Sequence, residues 1–103
     1  MLRSLGQRPV TGSGEEPSVA RLRTAVSRLR RELAALPADF PDRGIAEEEL
    51  AALAAMTLGG APEIPRLQRS LLLVAGAVGS VSALSRALAE VRRAVELLGE
   101  RQG

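Results

Sequence analysis

Apolar residues recur every three or four positions through most of this chain. Val19, Leu22, Val26, Leu29, Leu33 and Leu36 alternate the two spacings without a break. A stripe of that period is the seam of a coiled coil or of a regular bundle helix. It predicts a helix over about 18–36, with Pro17 in its first turn, Glu15 and Glu16 at the positive end of its dipole and Pro37 as its stop. A loop through Pro41 and Gly44 follows, with Phe40 expected beneath it. A second helix is predicted over about 45–58. Glu47, Glu48 and Glu49 would crowd its first turn, and Gly59-Gly60 would end it in the left-handed conformation.

Beyond Pro65, a suitable first helical residue, the chain is helical in character to Leu98. Leu67, Leu71, Val74, Val78 and Val81 form one stripe, and Leu84, Leu88, Val91, Val95 and Leu98 a second. Two steps of three fall in succession around Val81, which rotates the second stripe by about 100° from the first. Gly76 and Gly79 precede the shift, and Ser80 or Ser82 could cap a new helix. The pattern predicts two helices, about 66–78 and 82–98. The alternative is one helix of roughly 50 Å, too long for so small a bundle to cover without a second chain. The expected fold is all-α, a small bundle of three or four helices. One helical domain would span 17–99, between a flexible tail over 1–16 and a frayed end over 100–103.

Composition narrows the chemistry. The 103 residues include no His, Cys, Lys, Tyr, Trp or Asn. There is no imidazole base, thiolate, Schiff-base amine or phenol, so Ser70, Ser80, Ser82 and Ser85 have no partner to activate them. No enzymatic activity, metal, cofactor or small-molecule substrate is expected. The one aromatic residue, Phe40, leaves a core of aliphatic side chains. A pI near 10.9 accompanies a net charge of only +2, because almost nothing titrates between the carboxylates and arginine. The high pI therefore marks missing buffering groups and argues little for nucleic acid. With no apolar run at the N-terminus and no cysteine, a cytoplasmic location is the expectation.

Three segments invite functional readings. The first predicted helix carries Arg21, Arg23, Arg28, Arg30 and Arg31 against Glu32. Arg21, Arg28 and Arg31 point away from its seam and are the candidate nucleic-acid contacts, but no aromatic residue is interleaved for base stacking. A solvated helix facing the acidic second one is the plainer reading. The stretch 71–84 is uncharged, yet shorter than the roughly 20 residues a bilayer requires, so a buried core helix is expected ahead of membrane association. Within it Gly76, Ser80, Ala83 and Ala87 form a stripe of small residues that would admit another helix closely. Glu47-Glu48-Glu49, with Asp39 or Asp42, could be imagined around a cation, but adjacent helical residues diverge by about 100°.

The segment 63–84, EIPRLQRSLLLVAGAVGSVSAL, together with 19–36 and the Phe40-Pro41-Asp42-Arg43 turn, resembles a family of small helical actinobacterial proteins catalogued as a domain of unknown function. The resemblance covers about 17–98 and implies a compact helical fold without bringing an activity or site residues. The expected function is association with a protein partner or with a second copy of the chain. The candidate interface is the seam Val19, Leu22, Val26, Leu29, Leu33 and Leu36, or the small-residue face at Gly76, Ser80, Ala83 and Ala87.

Overall fold

The periodicity resolves into four α-helices in a computed structural model that describes residues 17–37, 39–59 and 62–102. They are α1 (Pro17–Ala35), α2 (Arg43–Leu58), α3 (Ile64–Val78) and α4 (Ser85–Gln102), the last entered through a 3-10 turn at Ser82–Leu84. The all-α bundle is as the apolar pattern requires. The most extensive contacts join α2 to α3 and α1 to α4, while α1–α2 and α3–α4 close the ring. Short connections make each helix antiparallel to its predecessor. The expectation of a flexible tail over 1–16 lies outside the described residues.

Every seam residue of α1 from Val19 to Leu33 is buried, and Leu36 packs half-buried at the edge. Leu50 and Leu53 of α2, Leu67 and Val74 of α3, and Leu84, Val91 and Leu98 beyond them complete an aliphatic centre. Phe40 packs half-buried against that centre from the α1–α2 loop. A seam consumed in this way stabilises one chain by burying apolar surface.

Several element ends differ from the sequence reading, each for a physical reason. α2 begins at Arg43 rather than Ile45, so Glu47, Glu48 and Glu49 lie beyond its first turn. The dipole argument for them does not hold, since that effect fades within the first turn. Its entry is made by backbone: Arg43 N–H donates to the Phe40 carbonyl at 3.1 Å and Ala46 N–H to that of Asp42 at 3.0 Å. Gly59 follows α2 at φ −74°, ψ −10°, so it is right-handed; Gly60 lies outside the described residues. α4 passes through Gly99 to Gln102 instead of ending there, and a Cβ on Gly99 would meet Ile64 at an ordinary 3.8 Å.

The break between α3 and α4 falls where the two stripes change phase. Neither Ser80 nor Ser82 caps α4; the chain turns through an extended Val81 at φ −93°, ψ 97° into the 3-10 turn. Val81 N–H donates to the Val78 carbonyl at 2.9 Å, and Leu84 N–H to that of Val81 at 3.0 Å. Gly79 itself is right-handed, φ −60°, ψ −26°. Glycine is needed there for space: a Cβ would stand 2.5 Å from the Ala75 carbonyl oxygen. Gly76, one turn earlier and inside α3, has open space where a Cβ would go. The two alanine substitutions should therefore have opposite signs in urea unfolding. Gly76→Ala is expected to stabilise by about 0.5–1 kcal/mol through helix propensity. Gly79→Ala is expected to destabilise by about 1 kcal/mol or more, because backbone must move. Equal effects would refute the close approach at Gly79.

Candidate functional site

The proposed interface residues are divided by the fold. Val19, Leu22, Val26, Leu29 and Leu33 are sealed inside the chain's own core and present nothing to a second molecule. Gly76, Ser80 and Ala83 are exposed, but Ala87 is fully buried. The turn at 79–84 interrupts what would be a continuous small-residue face only on an unbroken helix.

The arginines take up structural positions. Arg28 donates from Nε to Glu32 at 2.9 Å and from Nη1 to both oxygens of Glu90 at 2.9 Å, linking α1 to α4. The hydrogen bond to Glu32 and then the charge of Glu90 raise its pKa further above the ordinary arginine value, so it stays charged at any working pH. Its carboxylate partners are thus in α1 and α4, and not the acids of α2. Arg23 reaches across from α1 to donate to the Thr57 carbonyl in the last turn of α2, at 3.2 Å. Arg43 does the converse from α2, donating to the carbonyls of Leu36 at 3.1 Å and Leu33 at 2.7 Å at the end of α1. The last carbonyls of a helix lack partners within it and attract cations. These two side chains therefore bond carbonyls at the C-terminal ends of both helices, and at the end of α2 Arg23 does so where glycine was the expected stop. Arg21 and Arg31 are exposed on α1, and of the candidate nucleic-acid contacts Arg28 is tied across to another helix, through Glu90 of α4.

What the sequence reading missed is a difference between the two outer faces of the bundle. The exposed positions of α1 and α4 include Arg21, Arg30, Arg31, Arg86, Arg92, Arg93 and Glu96. On α2 and α3 the exposed positions include large apolar side chains: Leu58 at 75%, Leu72 at 73%, and Ile45 and Leu73 at 46% each. α2 has no charge from Leu50 to Leu58, and its Ala51 and Ala55 are exposed. Scattered exposed leucines are ordinary, but several large ones on two adjacent helices are informative. The signal was present as Leu71-Leu72-Leu73: at about 100° per residue, a helix that buries Leu71 with Val74 must turn Leu72 outward.

Chemical sites are sparse. One hollow, of about 610 Å³, is lined by Asp39, Phe40, Pro41, Arg43, Gly44 and Glu47, and its Arg43 is already bonded to Glu47 at 3.3 Å. No group of three or more His, Cys, Asp or Glu among the described residues is placed to hold a metal ion. No helix among them is long and apolar enough to cross a membrane.

A family model of unknown function matches residues 11–99, nearly the whole helical chain. The chain belongs to DUF5955. No curated protein and no solved structure matches it. Membership in DUF5955 agrees with the resemblance seen in the 19–36 and 63–84 segments, and extends it toward the N-terminus. It assigns no site, so for this DUF5955 chain the exposed large apolar side chains of α2 and α3 are the feature from which a function can be argued.

Proposed function

We propose that the chain acts as a non-enzymatic helical association module, whose docking surface is the outer face of α2 and α3. One observation carries the reading: Leu58, Leu72, Leu73 and Ile45 are exposed on α2 and α3, while no large apolar side chain among the described residues is exposed on α1 or α4. Exposed apolar area of that kind marks an interaction site. The residue inventory supports association over catalysis, since neither imidazole, thiol nor amine side chains are present. Nucleic acid fits less well, because Arg28 is engaged by Glu32 and Glu90. Sedimentation velocity over a concentration series, with a pull-down on the tagged full chain, tests the reading. Concentration-dependent self-association or a specific protein partner is expected. A strict monomer with no partner recovered would end it.

A further inference from the structure

We infer that the α2–α3 hairpin is a lever, hung from one end of the bundle, that lifts off the α1/α4 pair as a single unit. The inference goes beyond association and does not depend on what meets the exposed side chains of α2 and α3. Its argument is where the hairpin is attached. Arg28 of α1 pairs with Glu90 of α4, and Pro17 and Arg21 border a hollow with Leu97 and Glu100. The end of α1 therefore lies beside the start of α4. Arg43 at the start of α2 reaches the Leu33 and Leu36 carbonyls, so α2 begins at that same end. α3 leads into α4 through the turn at 79–84, so it finishes there too. Both connections to the hairpin thus leave from one end of the bundle. The other end of the hairpin is met by Arg23, which donates to the Thr57 carbonyl, and by Gly99 of α4, where a Cβ would stand 3.8 Å from Ile64.

Contacts are more extensive within the α1/α4 and α2/α3 pairs than between α1 and α2 or between α3 and α4. Parting the two pairs therefore breaks less packing than halving the bundle the other way. Sub-global opening follows such boundaries, in units that coincide with supersecondary motifs. The joints suit a swing, since a hinge is a few loop or helix-end residues that absorb backbone rotation. Exposed Gly79 and Ser80 lead into the extended Val81, between α3 and the 3-10 turn. The Arg43 bonds sit beside the other joint and can persist, whereas the Arg23 bond at the far end must break. The halves also differ in what they keep when parted. An isolated helix of about 15 residues is marginal in water. α2 and α3 have 16 and 15 residues, and α3 carries Gly76 within it. α1 and α4 have 19 and 18, and Arg28 ties them through Glu90. Opening therefore exposes the amides of α2 and α3 ahead of those of α1 and α4.

Hydrogen exchange of the full chain, followed amide by amide, tests this. In the wild type the protected amides of α2 and α3 should share one opening, and exchange about tenfold or more faster than the slowest amides of α1 and α4. Arg28→Ala should quicken α1 and α4 alone, because its ties to Glu32 and Glu90 survive the lift. Ile64→Cys with Gly99→Cys sets two thiols within reach of a disulfide at the far end, in a chain that has no other cysteine. Oxidation should then slow α2 and α3 about tenfold more than α1 and α4, and reduction should reverse it. The reduced form of that variant is the control for the substitutions themselves. One exchange limit common to all four wild-type helices overturns the inference, and so does separate opening of α2 and α3. Arg28→Ala quickening all four helices alike, or a disulfide slowing them all alike, overturns it too.

Discussion

Leu53→Ala is expected to lower the free energy of unfolding by about 3 kcal/mol. Leu53 is fully buried in α2, among aliphatic side chains contributed by the helices that α2 packs against. Removing its three outer carbons forfeits their transfer from water and leaves a cavity lined by other helices. Collapse of that cavity is limited, because α2 is held at both ends: by its own Arg43 at the end of α1 and by Arg23 at Thr57. A domain of about 100 residues has only about 5–15 kcal/mol in total, so the loss is a large part of the whole. The thermal midpoint should fall by roughly 15 °C. Leu72→Ala, the same chemical change at an exposed site, should stay within about 0.5 kcal/mol when measured at monomer concentrations. Urea unfolding followed by circular dichroism compares the two, and similar losses would show that the assigned burial is wrong.

Arg43→Ala is expected to cost about 2 kcal/mol. Its side chain is only 19% exposed, and its guanidinium donates to the carbonyls of Leu33 and Leu36 as well as to Glu47. The Glu47 pair contributes little, since the Glu47 side chain is 55% exposed. The carbonyls matter more, because without Arg43 the last turn of α1 has acceptors facing a half-buried loop. Lysine carries the charge but not the fork, and Arg43→Lys should recover less than half of the loss. Amide exchange in the last turn of α1 should quicken in Arg43→Ala and stay unchanged in α4. A stability loss under about 0.5 kcal/mol, with no local exchange effect, would remove the cap from the account.

The parts of this fold that were legible in sequence are those set by local period. The α1 seam is regular enough to give both the helix and its buried face. The phase change at Val81 places the α3–α4 break within a few residues. What escaped is non-local. Gly59 looks like a left-handed stop, yet it is right-handed, and a carbonyl in the last turn of α2 is bonded by Arg23 from another helix; Gly79, also right-handed, is needed for clearance. The arginines of α1 look like a charged surface, and only the fold shows Arg23 and Arg28 reaching to α2 and α4. The seam was proposed as an interface because a single helix cannot reveal whether its partner is in the same chain. Leu72 was the opposite case: its outward direction follows from the helical period, and it is 73% exposed.

The exchange of caps between α1 and α2 has a consequence for alignment. Arg23 near the start of α1 holds the end of α2, and Arg43 at the start of α2 holds the end of α1. Sliding one helix past the other by a single residue, about 1.5 Å, would pull both guanidinium groups off their carbonyls together. Aliphatic side chains alone tolerate many nearly equivalent slips, since one leucine fills another's place. The two arginines act as a vernier, admitting one setting of the α1–α2 pair out of the several that its hydrophobic contacts would accept.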